Sequence, residues 1–162
     1  MYQIGISNLC RLMLAAGGPI RWPSGVPWPL HRALSELMAG GSELSDSAIP
    51  VIRFEPDADV GMKGDGVDEA ISELVADGTI RWERFGSVDV WSLTDRDLAP
   101  TRRELMRLSP LDADAVHRAG VRWAALAATS LKRLLTASES SGSIVLSGSP
   151  VSRLKAVAPG SA

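Results

Sequence analysis

Apolar residues recur at three- and four-residue intervals in four stretches of the chain, and this spacing predicts four helices. The predicted helices cover residues 8–16, 29–39, 67–77 and 110–137. Glycine follows each of the first three stretches, where its freedom to adopt positive φ can end a helix. The fourth stretch begins with Ser109-Pro110, a capping serine followed by a proline that suits the first turn. Within it only Gly120 weakens the pattern, by about 1 kcal/mol relative to alanine.

Alternation of apolar and polar residues predicts a β-hairpin directly after the third helix. Ile80 and Trp82 alternate with charged neighbours before the Gly86-Ser87 turn, and Val88 and Val90 alternate with Asp89 after it. This alternation is typical of strands with one apolar and one polar face.

Two neighbouring segments before the third helix differ in character. Residues 49–54 contain β-branched side chains and predict a short strand. Residues 55–66 are rich in Asp and Gly and predict a polar loop. The elements together predict an α+β, mainly helical protein. We divide the chain into a domain over 1–99, a helical extension over 100–137 and a flexible Ser-, Gly- and Pro-rich tail over 138–162.

Charge is distributed unevenly along the 162 residues, although the whole chain is close to neutral at −2. Residues 51–100 hold five basic and twelve acidic side chains, whereas residues 101–162 hold nine basic and four acidic ones. The two parts can attract one another or different partners. A single cysteine fits a reducing cytoplasm, and the absence of a long apolar run predicts no membrane contact.

Side chains that could carry chemistry are few, and they do not form a known catalytic motif. His31 and His117 lie on separate predicted helices, where each is expected to be a surface or half-buried residue. Cys10 lies beside an apolar stripe and is expected to be a packed thiol. We therefore predict that the protein is not an enzyme.

Four aspartates in and directly after the acidic loop have the spacing of the ligands in a calcium-binding loop, but other positions of the window carry residues that do not fit such a loop. These aspartates are Asp57, Asp59, Asp65 and Asp68, at positions one, three, nine and twelve of the window. Met62 stands where the turn requires glycine, and Lys63 follows it. We predict no metal and no cofactor.

Residues 65–93 resemble the second half of a winged-helix domain, with a less extensive match back to the helix at 29–39. The resemblance rests on ISELVADGTI, a helix that closes on Asp-Gly and leads into a strand, and on VDVWSLT, a strand that ends in Leu-Thr. With a long terminal helix, the arrangement is similar to the MarR-like and PadR-like bacterial regulators. The resemblance implies a dimer that binds duplex DNA, with the helix before the wing in the major groove.

The charge of the third helix argues against that function. Its polar side carries Asp68, Glu69, Glu73 and Asp77, which would face phosphates without releasing counterions. Under a DNA-binding hypothesis the contacts fall instead to the hairpin and to the basic C-terminal region. These candidate nucleic-acid-binding residues are Arg81, Arg84, Arg102, Arg103, Arg107, Arg118, Arg122, Lys132 and Arg133.

Two hypotheses follow from these patterns. The first is a non-catalytic winged-helix-like interaction module, such as an adaptor, antitoxin or complex subunit, which binds a protein partner or a second copy through the helix at 110–137. The second is a dimeric DNA-binding transcriptional regulator. The candidate partner-binding residues are Trp123, Leu126, Leu131 and Leu134 on the long helix and Asp68, Glu69 and Glu73 on the acidic helix. The same leucines and tryptophan could alternatively cover the core of their own subunit.

Overall fold

The protein is an α+β chain with a mainly helical fold, seen in a computed structural model that describes residues 3–18, 21–40, 47–93 and 95–147. Over those ranges, helices and strands alternate in the first two thirds of the chain. In chain order they are α1 (Ile6–Gly17), β1 (Arg21–Pro23), α2 (Trp28–Ala39), β2 (Phe54–Asp57), β3 (Gly61–Gly64), α3 (Val67–Ala76), β4 (Arg81–Phe85), β5 (Val88–Ser92), α4 (Asp95–Leu105) and α5 (Pro110–Ser147). All four helices expected from periodicity are present, with ends shifted by a few residues except at the end of α5.

The predicted hairpin is present and belongs to a three-stranded antiparallel sheet in the order β1-β5-β4. Its register pairs Trp91 of β5 with Trp22 on one side and with Trp82 on the other. Because paired residues lie on the same face of a sheet, the three indole rings form one row across it.

Trp22 and Trp82 lie on the two edge strands of this sheet, and α5 packs against β1, the strand that carries Trp22. Trp22 is 5% exposed, whereas Trp82 is 61% exposed. Ile80, the preceding apolar residue of the pattern, is buried. Alternation along the strand therefore did not predict which residue a neighbouring element covers.

The expected loop at 55–66 is also wrong, because β2 and β3 form a second antiparallel hairpin there. The Asp57 carboxylate accepts the N–H groups of Asp59 and Val60, at 2.8 and 3.1 Å, and so closes the turn with side-chain hydrogen bonds. The predicted strand at 49–54 contributes only Phe54 to this hairpin. Ile49 and Ile52 are buried outside any regular strand, which accounts for their apolar character.

The core forms where α1 and the first half of α5 cross, with α2 and α3 packed beside them. Gly17 and Gly120 lie at this crossing, and a Cβ on Gly120 would lie 2.5 Å from the carbonyl oxygen of Met13. Besides weakening the helical pattern, Gly120 therefore has a packing role that the pattern did not show. Its missing side chain allows the two backbones to approach.

Helix α4 was not predicted, because its strongly charged sequence contains Pro100 and has only Leu98 and Leu105 as large apolar residues. Tertiary contacts with α1 hold it in place. The Arg11 guanidinium donates to the Thr101 hydroxyl at 2.9 Å and pairs with the Glu104 carboxylate at 2.9 Å. Thr101 is buried at this contact.

Helix α5 begins at the predicted cap and ends later than predicted. The Ser109 hydroxyl accepts the Asp112 N–H at 3.2 Å. Asp112 is itself buried. Its carboxylate accepts hydrogen bonds from the Ser47 hydroxyl and the Ala48 N–H, and not from the backbone N–H of the capping residue Ser109. The helix continues to Ser147, so the first ten residues of the expected flexible tail are helical. The rest of that tail lies outside the described residues.

Candidate partner-binding site

An apolar groove of about 530 Å³ lies between the second half of α5 and the three-stranded sheet. Its lining residues come from β1, β4 and α5, and they are Arg21, Phe85, Ala124, Ala128, Leu131, Lys132, Leu135 and Thr136. Phe85 stands at the end of β4, where the hairpin turns back at Gly86. A Cβ on Gly86 would lie 3.7 Å from Leu135, which shows how closely the hairpin tip approaches the helix.

The helical wall of the groove is a second apolar row on α5, separate from the row that faces the core. Val116, Trp123 and Ala127 belong to the core row, and each is 1% exposed or less. The groove row follows the sequence positions 124, 128, 131 and 135. Ala128 is exposed, and Leu131 and Leu135 are half-buried. This row remains open to a partner because no element of the chain's described part covers it fully.

Charged groups border the groove without closing it. The Arg21 guanidinium lies 5.0 Å above the Phe85 ring and also pairs with the Glu83 carboxylate. Such a cation–π contact holds the aromatic wall of the groove in a defined place. Lys132 and Arg133 are exposed on the α5 side. A ligand that enters this groove therefore meets an apolar floor with a mainly basic border.

The predicted contact seam on α5 is divided by the structure. Trp123 is 1% exposed and packs edge-on against Trp22, with ring centroids 5.1 Å apart. It therefore belongs to this subunit's own core and is not available to a partner. Leu126 is half-buried, Leu131 lines the groove, and Leu134 is 36% exposed.

The predicted acidic face of α3 is present, although its residues have different roles. Glu69 is exposed, and Glu73 is exposed while it accepts the Ser7 hydroxyl at 2.7 Å. Asp68 is partly covered, with Lys63 at 3.5 Å from one carboxylate oxygen. Its other oxygen lies 2.9 Å from Nε2 of His31.

His31 is 1% exposed, so the expectation of a surface or half-buried histidine is wrong. Its Nδ1 accepts the backbone N–H of Gly64 at 3.0 Å, which leaves the ring proton on Nε2 to be donated to Asp68. The imidazole thus joins α2 to β3 and α3. We assign it a structural role, and Asp68 with it.

The arginines proposed for nucleic-acid contact are dispersed, and several are paired with carboxylates. Arg84 pairs with Asp89 across the hairpin at 2.9 Å, and Arg118 pairs with Asp114 at 3.0 Å. Arg122 contacts Glu36 at 2.9 Å, and this hydrogen bond lowers the pKa of the Glu36 carboxyl. Arg81 is exposed on the edge strand.

Three further arginines lie on α4 and directly after it. Arg102, Arg103 and Arg107 are exposed and make no ion pair with any side chain in the described part of the chain. They belong to a different element from the hairpin arginines, and α4 packs mainly against α1.

The remaining candidates for chemistry have ordinary structural surroundings. Cys10 is fully buried, and burial raises the pKa of its thiol to about 12. The calcium-like window forms the β2–β3 hairpin, in which backbone N–H groups bind the Asp57 carboxylate and lower its pKa. Within the described ranges no three His, Cys, Asp or Glu side chains are placed to hold a metal ion.

Sequence reasoning missed most of the groove. Ala124, Ala128 and Leu135 carry part of the α5 periodicity but were not separated from the core row, and Phe85 was not considered. Their spacing was the available signal in the sequence, whereas the opposing wall of the groove could be identified only from the position of the sheet.

Over the described residues, no helix has the length and apolarity needed to cross a bilayer. In comparisons with protein-family models, curated proteins and solved structures, none matches this chain.

Proposed function

We propose that this protein is a non-catalytic interaction module on a winged-helix-like scaffold, and that the groove beside α5 is its protein-binding site. The observation that carries the proposal is the open apolar row on α5, opposed by Phe85 across a volume of about 530 Å³. Apolar grooves of this kind bind a helix or an extended segment of a protein. The exposed fraction of Phe85, which lines the groove, is 37%, so this side chain can lose further water-accessible area on binding.

The scaffold part of the proposal rests on the order of helix α3, strand β4 and strand β5, which is the helix-then-hairpin order of the resemblance. The β2–β3 hairpin occupies the place where a helix-turn-helix protein has a short connection. An interaction module tolerates that insertion, because its binding surface lies on α5 and the sheet.

Electrostatics favour a protein partner over duplex DNA at α3. Glu69, Glu73 and Asp77 are exposed on this helix, and Arg84 of the neighbouring hairpin is already paired with Asp89. In a DNA groove these carboxylates would face phosphates, and the pair to Asp89 would compete with a phosphate contact. The same acidic face can attract a basic protein surface and assist its approach.

A second candidate function is DNA binding by a transcriptional regulator. It is favoured by one observation, the three exposed arginines Arg102, Arg103 and Arg107, which lack ion pairs within the described residues. Their contacts would be to phosphates and would carry no sequence information.

Two experiments separate the functions. Fluorescence anisotropy with a random-sequence duplex, at low and physiological salt, tests for a phosphate-contacting surface. Affinity capture from the source organism tests the groove, with Ala128→Glu as the disrupted variant and Thr129→Glu as its matched control. Both positions are exposed on α5, but only Ala128 lines the groove.

The interaction module predicts little duplex binding even at low salt, and a captured protein that is retained by Thr129→Glu and lost by Ala128→Glu. Salt-sensitive duplex binding that is abolished when Arg102, Arg103 and Arg107 are replaced by Ala would contradict it in favour of the regulator.

A further inference from the structure

We infer that the groove beside α5 binds an acidic amphipathic segment of another protein, in which carboxylates stand beside a row of apolar side chains. This inference rests on the proposed function, because it names the chemistry of the partner for the same groove. Both charged residues that line the groove in the described part of the chain are basic, and they lie on opposite walls.

The helical wall of the groove carries the first of these cations. Lys132 is exposed and makes no ion pair with a side chain among the described residues. Thr136 also lines this wall, but its hydroxyl donates to the Lys132 carbonyl oxygen at 3.0 Å. Because that hydroxyl is already used, the ammonium group is the donor that the described residues of this wall offer to a ligand.

The sheet wall carries the second cation, Arg21 of β1. Its Nε donates to the Glu83 carboxylate, and its guanidinium carbon lies 5.0 Å from the centroid of the Phe85 ring. The two terminal nitrogens make no hydrogen bond to a described residue. A guanidinium has five N–H donors, so Arg21 can hold Glu83 and bind a second carboxylate at the same time.

Apart from Arg21, Lys132 and Thr136, the described lining of the groove is apolar. Its row on α5 extends from position 124 to position 135, about 16 Å at 1.5 Å per residue. An occupant needs apolar side chains along that length to displace water from the row. It also needs a carboxylate toward each wall, because a carboxylate forms the strongest hydrogen bonds that these two cations can make.

The chain's own segments do not have this chemistry. Residues 116–137 of α5 contain four Lys or Arg residues and no acidic one, and residues 148–162 contain two and no acidic one. Either segment of a second copy would therefore bring like charge to Arg21 and Lys132, which weakens association. Helix α3 is acidic, but its apolar row is buried in its own core. The occupant is therefore a different protein.

Selection from a displayed library of random peptides of about 16 residues, enough to match the row as a helix, tests this without a known partner. Wild type, Ala128→Glu and Thr129→Glu are the baits. Thr129→Glu adds the same charge at an exposed position that does not line the groove. We expect the peptides that bind wild type and Thr129→Glu, but not Ala128→Glu, to be enriched in Asp and Glu relative to the unselected library, with apolar residues between them.

Fluorescence anisotropy of one such peptide tests the cation on the helical wall. Lys132→Glu should weaken binding about tenfold or more, because a carboxylate then faces those of the peptide. The control replaces Arg102, Arg103 and Arg107 by Ala, which removes three positive charges, whereas Lys132→Glu changes the charge by two. A general attraction to basic protein would be weakened more by the control, but we expect the control to bind within about twofold of wild type. Circular dichroism checks that every variant is folded.

Three results would overturn the inference, and they differ in what else they remove. Ala128-dependent peptides that are neutral or basic would overturn the acidic partner and leave the groove as a protein-binding site. Acidic peptides that lose affinity in the triple-arginine variant and not in Lys132→Glu would place the contact at α4. If no peptide depended on Ala128, the groove would not be a binding site, and the proposed function would fail with it.

Discussion

Gly17 of α1 and Gly120 of α5 face each other at the point where the two helices cross. A Cβ on Gly17 would lie 2.9 Å from the carbonyl oxygen of Gly120, and one on Gly120 would lie 3.0 Å from the amide nitrogen of Gly17. The obstructing atoms are backbone, which cannot rotate away as a side chain does. Either added methyl group therefore requires the helices to separate.

We expect Gly120→Ala to lower the free energy of unfolding by about 1–3 kcal/mol, as overpacking does in well-packed cores. Intrinsic helix propensity alone would raise it by about 1 kcal/mol, so the sign distinguishes the two effects. Urea denaturation gives the measurement. Gly25→Ala is the control, because a Cβ there meets nothing within 4 Å. A more stable Gly120→Ala protein would contradict the close crossing.

The buried His31 imidazole should be the Nε2–H tautomer, because Nδ1 accepts the Gly64 N–H. His31→Ala removes that acceptor and leaves a buried amide without a partner, so we expect a loss of about 2–4 kcal/mol in the free energy of unfolding. Asp68→Asn retains an oxygen that can accept the Nε2 proton, and its side chain is 47% exposed. It should lose less than about 1 kcal/mol.

Long-range nitrogen NMR of the imidazole checks the same arrangement without a mutation. A protonated Nε2 and an unprotonated Nδ1 are the expected signature near neutral pH. A protonated Nδ1 would be incompatible with the hydrogen bond from Gly64.

The Glu36–Arg122 pair should make a small, pH-dependent contribution to stability. The Arg122 hydrogen bond holds the pKa of Glu36 below its ordinary value of 4.5. A lowered native pKa contributes stability that is present above the unfolded value and is lost as the pH falls through the native one. The pair is exposed, so the contribution is at most about 1 kcal/mol.

Glu36→Gln should therefore be slightly less stable than wild type at pH 7, and the difference should disappear as the pH falls below 4.5. Urea denaturation of both proteins between pH 3 and pH 7, which spans roughly the range where carboxylates titrate, checks this. Arg118 pairs with Asp114 elsewhere on α5, and Asp114→Asn serves as a second exposed carboxylate for comparison. A difference that grows toward acid pH would contradict the sign.

Cys10 should resist thiol reagents in the native protein. Its side chain is fully buried, and burial raises its thiol pKa to about 12, so little thiolate is present at pH 8. We expect reaction with a disulfide reagent only as fast as the protein opens, and rapid reaction in urea. In Ala128→Cys the added thiol is exposed, so it should react at once while Cys10 does not. Immediate modification of native wild type would show that α1 is not packed as described.

Local sequence signals were sufficient where the cause of an element is itself local. Glycine after an apolar stripe ended α1, α2 and α3 close to the expected residues, and the Ser109 hydroxyl caps α5 as predicted. The Gly86-Ser87 turn likewise joins two strands. These signals depend on backbone freedom and on hydrogen bonds within a few residues, so they can be recognised without knowledge of the rest of the chain.

Tertiary structure alone decided which surface each element covers. Trp22 and Trp82 both lie on edge strands of one sheet, but Trp22 packs against Trp123 of α5 and Trp82 remains exposed. Trp123 and Leu131 belong to one periodic helix, yet one packs against Trp22 and the other lines an open groove. Periodicity shows that a face is apolar. What lies against that face depends on contacts between residues distant in sequence, such as the approach of Gly17 to Gly120. The local spacing of apolar residues does not show which distant residues make those contacts.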